Sequence, residues 1–222
     1  MSRPTLRLFE DELPAQCPQV FLPAAPRAIY VRAGGVTVDD ATGGRWLGED
    51  AAEVTTSEVS LTATEPTTLW RWELGAPGAD AQLRSAPSTS SRMILEAELD
   101  LDDRFGWLMR CDRVDFPPGG VALTHVHQGP GIRICRHGEI TIETLGASKA
   151  HGPGEAWFEL GHAPVLAPTT EKEETAFVRC FLLPRALKGK SSIRYVRPAD
   201  AAAPKVQKYR VFAERFVELP VL

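Results

Sequence analysis

Short runs of apolar and β-branched residues, separated by glycine, proline and other turn residues, recur along the chain. Residues 28–40 contain two such runs that meet at Gly34–Gly35, which is typical of a β-hairpin. Further runs occupy residues 67–75, 93–102, 106–116 and 174–183. The pattern predicts an all-β protein built from many short strands.

The two ends of the chain are harder to interpret. Residues 1–19 are interrupted by proline and mixed in charge, and we expect an extended arm there. In the C-terminal segment Tyr209, Phe212 and Phe216 fit a helical stripe, whereas residues 209–212 fit an edge strand equally well. The termini are therefore expected to be short helices or extended segments.

The chain repeats itself. A shift of 104 residues aligns 28–39 with 132–143 and matches an arginine, a glycine and a threonine. A shift of 108 aligns 67–74 with 175–182 and matches Arg71 with Arg179. Short hairpins can resemble one another by chance, but the common order and similar offset favour a duplicated β module.

The repeat divides the chain into an arm and two β domains. A Gly/Ala/Pro/Ser-rich segment between them is expected to be a linker or a surface loop. The predicted segments are an arm at 1–19, a first β domain at 20–75, a linker or surface loop at 76–92, a second β domain at 93–185 and a C-terminal extension at 186–222.

The composition and charge of the chain limit the classes of partner and the cellular environment that we expect. The 222 residues carry a formal charge of −4, which provides no basic surface for nucleic acid or an acidic membrane. No apolar run approaches the ~20 residues that span a bilayer, and acidic residues replace the apolar core of a signal peptide. The four cysteines are scattered without a C-x-x-C pair, so we expect a reduced, cytoplasmic protein.

The sequence His125-Val126-His127 is the first candidate for chemistry. It follows the turn Pro117–Gly120, and residues i and i+2 of a strand face the same side. Two imidazoles on one face can bind one metal ion or one anion. Alternatively, they are two exposed histidines at the end of a strand.

Three segments together resemble the two motifs of the cupin superfamily. They are FPPGGVALTHVH at 116–127, the glycine of GEITIE at Gly138, and GPGEAWFELGHAP at 152–164. The resemblance covers about residues 110–183 and, with the repeat, implies a bicupin: two tandem double-stranded β-helix (jelly-roll) barrels. It implies that the first barrel, at 20–75, is shortened and that the second, at 93–185, is complete. It also implies a metal or small-molecule site inside the second barrel.

The second barrel departs from the ligand pattern that the resemblance implies. The acidic ligand is expected at Gly131, and another histidine near Pro164 or Val165, whereas His162 lies two or three residues earlier. In the first repeat, Phe21 and Pro23 replace the histidine pair, so we expect that barrel to be structural.

Two histidines alone make a weak site, since catalytic zinc sites usually have three protein ligands. His162, Glu159 and Cys135 are the candidates for a third. The expected ion is one divalent transition metal (Fe, Ni, Mn or Zn), and a barrel without metal is the alternative.

Further candidates line the same pocket. If position 131 faces the interior, Arg133 and Cys135 also face inward. Arg133 would bind a carboxylate of the substrate, or pair internally with Glu143, Glu155 or Glu159. Cys135 is either a substrate contact or an inert core residue.

Trp157 and Glu159 lie on the segment before the second turn. Trp157 is expected in the pocket wall or the core. Glu159 is a base or metal ligand, or else a solvated residue at the rim.

Two functions remain open. The first is a metal-dependent dioxygenase, isomerase or hydrolase that acts on a small polar, anionic molecule. The second is a binding or sensing cupin without metal or turnover. We also expect a homodimer, because the arm and the aromatic C-terminal segment need apolar surface to cover.

Overall fold

The computed structural model describes residues 3–78 and 88–220. The chain divides into two compact units, Met1–Cys111 together with Phe212–Leu222, and Asp112–Val211. Nearly all regular structure is antiparallel β, which confirms the predicted fold class. In the described part of the chain no helix has the length and apolarity needed to cross a bilayer.

The first unit is built from two sheets. Its strands are β1 (Thr5–Leu13), β2 (Val20–Leu22), β3 (Arg27–Ala33), β4 (Gly35–Asp40), β5 (Gly43–Gly48), β6 (Ala52–Thr55), β7 (Val59–Thr62), β8 (Thr67–Gly75) and β9 (Ser90–Glu98). One sheet has the order β6-β3-β8-β1-β9 and the other β2-β7-β4-β5. Leu13, Val20, Leu22, Ile29 and Val36 are among the buried residues of its apolar core.

The second unit repeats this plan. Its strands are β10 (Trp107–Phe116), β11 (Val121–His127), β12 (Gly131–His137), β13 (Ile140–Thr144), β14 (Ala147–His151), β15 (Ala156–Glu159), β16 (Val165–Pro168), β17 (Thr175–Pro184), β18 (Ile193–Tyr195) and β19 (Lys208–Val217). Between these strands lie a 3₁₀ turn, Arg185–Leu187, and a short helix, α1 (Pro198–Ala202). The sheet orders are β15-β12-β17-β10-β19 and β14-β13-β16-β11-β18, and both β10 and β19 cross the division between the units.

The two offsets of the sequence repeat agree with the strand registers. In the first unit Ile29 of β3 lies opposite Arg71 of β8, and in the second unit Arg133 of β12 lies opposite Arg179 of β17. Ile29 and Arg133 are 104 positions apart, and Arg71 and Arg179 are 108 positions apart, which are the two offsets of the sequence repeat.

A glycine–threonine contact is also repeated. Gly34 and Gly138 have φ values of 80° and 73°, which a residue with a side chain rarely adopts. A Cβ on Gly138 would lie 2.3 Å from Thr175 Oγ1, and one on Gly34 would lie 2.7 Å from Thr67 Oγ1. Each threonine hydroxyl bonds to the backbone of the residue after its glycine.

The predicted arm is instead a central strand. β1 pairs with β8 on one side and β9 on the other. Leu6 and Leu8 are fully buried, and the acidic Asp11 is buried because it pairs with Arg71. Its mixed charge indicated a solvated segment, whereas Asp11 has an internal partner.

Other predicted boundaries also differ from the observed strands. Residues 79–87 of the expected linker lie outside the described residues, and Ser90 already begins β9, which pairs with β1 in the first unit. The C-terminal extension contributes β18, which pairs with β11, and β19, which is a strand and not a helix. These strands complete sheets because their partners would otherwise be edge strands.

Candidate functional site

The two histidines of the His-x-His sequence lie side by side on β11. Their rings are 4.9 Å apart, nearly perpendicular, and each side chain is about 5% exposed. The alternation of a strand therefore brings both imidazoles to one place, and the interpretation as two exposed histidines is wrong.

The neighbouring Leu123 carbonyl group determines which ring nitrogen of His125 carries the proton. His125 Nδ1 is 2.7 Å from the carbonyl oxygen of Leu123, which can only accept, so Nδ1 carries the proton and Nε2 the lone pair. Within the described residues His125 Nε2 makes no hydrogen bond. Burial lowers the pKa of His125, although the charge of Glu159 opposes this shift, and the ring is neutral at pH 7.

His127 has the same tautomer for a different reason. Its Nε2 is 3.3 Å from Arg179 Nη1, and a guanidinium can only donate. Nδ1 then carries the proton and donates to Ser192 Oγ at 3.2 Å. Burial, followed by the positive charges of Arg179 and Arg133, holds the pKa of His127 well below its ordinary value.

Arg179 is itself held by a carboxylate. Its Nε and Nη2 donate to the two carboxylate oxygens of Asp112 at 2.6 and 3.2 Å, and Asp112 is fully buried. The guanidinium also lies over the ring of Phe181, at 4.6 Å from the ring centroid. Arg179 therefore connects Asp112 to His127 in a fixed arrangement.

Arg133 has an internal partner, as one of the sequence alternatives proposed. Its Nη2 lies 2.8 Å from Glu159 Oε2 and its Nη1 donates to the carbonyl oxygen of Gly131, whereas Glu143 and Glu155 are exposed. The contact with Glu159 is an ion pair without the angles of a directed hydrogen bond, and Arg133 Nε has no acceptor among the described residues. Burial lowers the pKa of Arg133 to about 10, against the opposing effect of Glu159.

Glu159 and Trp157 belong to the same network. Trp157 Nε1 donates to Glu159 Oε1 at 2.8 Å, and both side chains are buried. The Trp157 ring packs against His151 and Phe177, with centroids 5.0 and 5.4 Å away. Glu159 is therefore a buried partner and not a solvated residue at the rim.

Cys135 is part of the apolar core of the second unit. Its Sγ points toward the carbonyl oxygen of His137 at 3.4 Å, and burial raises the pKa of the thiol to about 12. The thiol is protonated at neutral pH, whereas a metal ligand must be a thiolate.

His162 does not join the pair, because its side chain is exposed. The turn that carries it is fixed: Gly161 has φ 89°, and its carbonyl oxygen accepts a bond from the backbone nitrogen of His127 at 2.7 Å. A rotation of the backbone of this turn that moved His162 inward would break the bond between Gly161 and His127.

These residues do not fit a divalent metal. In residues 3–78 and 88–220 no three His, Cys, Asp or Glu side chains are arranged to hold an ion. The lone pair of His127 Nε2 already accepts from Arg179, and the other inward-facing charged groups are arginine–carboxylate pairs. The donor set therefore differs from the three-ligand set that a catalytic metal needs.

Asp112, Arg179 and Ser192 were not predicted as site residues. A signal for one of them was present, since Arg179 interrupts an apolar strand and buried charges must be paired, whereas Asp112 lies among other charged residues of β10. Arg179 also matched Arg71 in the sequence repeat. Ser192 follows a loop and carries no comparable signal.

The first unit lacks this arrangement. Phe21, which aligns with His125, is 48% exposed, and residues 3–78 contain no histidine. A buried ion network is present, but its guanidinium of Arg71 is bound by Asp11 and Glu73. The candidate site, which is built around a buried histidine pair, therefore lies in the second unit.

Comparison with known proteins gives the fold. The chain matches no protein-family model and no curated protein sequence. Among solved structures, it is similar to the Lactobacillus farciminis oxalate decarboxylase formate complex, with a TM-score of 0.63 and 12% identity over 89% of this chain and 82% of that one.

Two further structures share the architecture. Pumpkin seed globulin gives a TM-score of 0.59 at 7% identity, over 79% of this chain and 76% of that one. AerE from Microcystis aeruginosa gives 0.56 at 11% identity, over 79% and 87%. At such low identity the likeness concerns the fold alone, and the expectation of two jelly-roll barrels is confirmed: the chain has the bicupin fold.

Proposed function

We propose that the interior of the second barrel binds a small polar molecule and does so without a divalent metal. The observation that supports this most directly is the uncommitted lone pair of His125 Nε2, on a ring that is 5% exposed and held by Leu123. The nitrogen of an imidazole that carries the lone pair accepts hydrogen bonds, so a ligand that donates one to His125 Nε2 would use an atom that no group among the described residues occupies.

A second atom points to the other end of the ligand. Arg133 Nε is buried and has no acceptor among the described residues. An unpaired buried donor costs about 1–3 kcal/mol, so an acceptor supplied by a ligand stabilises the site. The ligand we propose therefore carries a hydroxyl or amide donor beside a carboxylate or carbonyl acceptor.

The charges limit the ligand further. Arg179 is balanced by Asp112, and Arg133 by Glu159, so the formal charges of these four groups cancel. Both histidines are neutral at pH 7. A neutral or singly charged ligand suits such a site, whereas a dianion would meet no free cation.

Binding of acetate, glycolate and glycolamide tests this chemistry. We expect glycolate to bind about three- to tenfold more tightly than acetate, since its hydroxyl adds one hydrogen bond of roughly 0.5–1.5 kcal/mol to His125 Nε2. Isothermal titration calorimetry of tag-free protein measures the three constants. Glycolamide separates the need for a charge from the need for an acceptor.

A pair of histidine variants controls this experiment. His125→Ala should abolish the preference for glycolate over acetate, while His162→Ala, which removes an exposed imidazole, should leave it unchanged. Equal binding of all three probes, or the same loss in both variants, contradicts the proposed ligand.

The purely metal-dependent enzyme that the sequence left open finds no support in the donor set described above. The binding interpretation retains His125 and Arg133 as the proposed ligand contacts. Trp157 belongs to the apolar core of the second unit, and Glu159 is the counter-charge to Arg133. We also propose a reducing, cytoplasmic location, since the four cysteines are buried and form no disulfide with one another. A disulfide found by mass spectrometry of freshly prepared protein would contradict that location.

We further propose a homodimer through β19. Tyr209 and Phe216 on this strand are 56% and 39% exposed, whereas Phe212 packs against Tyr30 with ring centroids 5.6 Å apart. β19 lies at the edge of its sheet, where backbone groups can pair with another chain. The N-terminal arm no longer contributes to this argument, because β1 is a central strand, and a monomer mass by light scattering would contradict the dimer.

A further inference from the structure

We propose that Arg179, held by Asp112, is the resident cation of the second barrel and that it keeps the His125–His127 pair from binding a divalent metal. This inference is separate from the proposed ligand, because it concerns His127 and its neighbour, whereas glycolate binding depends on His125.

The hydrogen bond between Arg179 and His127 leaves no room for a metal ion on the imidazole lone pair. His127 Nε2 and Arg179 Nη1 are 3.3 Å apart, which is a hydrogen-bond distance. A metal ion binds imidazole nitrogen at about 2.1 Å, so an ion on the lone pair that accepts from Nη1 would collide with the guanidinium. The guanidinium and a metal ion therefore cannot occupy this position together.

The position of Arg179 is also fixed. Two hydrogen bonds to the fully buried Asp112 hold the guanidinium, and the rings of Phe181 and Phe177 lie 4.6 and 5.9 Å from it. If Arg179 left, Asp112 would remain as a buried carboxylate without a counter-charge, which is strongly unfavourable. Metal binding must overcome this cost.

The first unit shows how the contact with His127 arises. Arg71 is equivalent to Arg179 and binds Asp11 in the same bidentate way, at 2.7 and 3.2 Å. Its Nη1 donates to Glu73 at 2.9 Å, and the residue equivalent to Glu73 in the second unit is Phe181. The exchange of this carboxylate for an apolar ring leaves Nη1 to donate to His127.

A double variant tests the proposal. Asp112→Val together with Arg179→Met removes both buried charges at once and leaves neither unpaired. His127 Nε2 then loses the donor that occupies its lone pair, and both Nε2 atoms can bind a metal ion. Titration of tag-free protein with Ni²⁺ should show binding at least tenfold tighter than in the wild type.

The chain offers a matched control. Asp11→Val with Arg71→Met removes the equivalent pair from the unit without histidine, and Ni²⁺ binding should stay at the wild-type level. Adding His127→Ala to the Asp112→Val/Arg179→Met protein should remove the gain. Circular dichroism establishes that each protein is folded.

Two results overturn the proposal. One is a folded Asp112→Val/Arg179→Met protein that binds Ni²⁺ no more tightly than the wild type. The other needs no variant: addition of Zn²⁺ to the wild type should leave the ¹⁵N resonance of His127 Nε2 unchanged, and a shift to the metal-bound position contradicts the assignment. This second measurement decides the question if the double variant does not fold.

Discussion

Replacement of Asp112 by alanine is expected to lower the free energy of unfolding by about 3–5 kcal/mol, because it leaves the Arg179 guanidinium buried without a counter-charge. Both side chains are 10% exposed or less, so solvent screens the pair little. Urea unfolding followed by tryptophan fluorescence measures the change.

The paired variant distinguishes the cost of an orphaned charge from the cost of lost packing. Asp112→Val with Arg179→Met should recover most of the stability that Asp112→Ala loses, since an ion pair replaced by apolar groups of similar volume is often neutral. If the double variant is as unstable as the single one, Asp112 and Arg179 do not act as a pair and the account of His127 fails.

Acidification from pH 6.5 to 5.5 is expected to destabilise the protein through the buried histidines. Burial lowers the pKa of His125, and burial with Arg179, Arg133 and His125 lowers that of His127 further. The unfolded chain therefore binds more protons than the folded one below an imidazole pKa of about 6.5. Stability is complete above that pH and is lost as the pH falls toward the folded values.

The limiting slope is about 1.4 kcal/mol per pH unit for each histidine that stays neutral in the folded protein. Between pH 6.5 and 5.5 the unfolded imidazole is only partly protonated, so the expected loss is about 1 kcal/mol for each such histidine and up to about 2 kcal/mol for the two. Denaturant unfolding at several pH values gives this slope. His127→Gln should remove about half of it, while His137→Gln, at an exposed position, should leave it unchanged. A slope that is the same in all three proteins contradicts the assignment of neutral imidazoles.

The fold could be predicted from local pattern because short apolar runs and turns specify strands independently of their partners. β1 was missed for the same reason: Asp11 indicates solvent until Arg71, sixty residues away, is known to lie beside it. The alternation of apolar and polar residues along one strand does not indicate which distant strand lies beside it.

The site was partly predictable on the same grounds. His125, His127 and Arg133 share a face through alternation alone, and Glu159 was one of three carboxylates proposed for Arg133. The outward position of His162 depends on the backbone bond between Gly161 and His127, and the role of Arg179 depends on Asp112 in β10. Neither relation is visible in residue spacing.

Elemental analysis tests the central claim most directly. Tag-free wild-type protein is incubated with iron, nickel, manganese or zinc, passed through a desalting column and analysed beside the His125→Ala/His127→Ala variant. The account predicts the same trace metal content in both proteins, because Arg179 occupies the lone pair of His127. A near-stoichiometric metal in the wild type that is lost in the variant would contradict it.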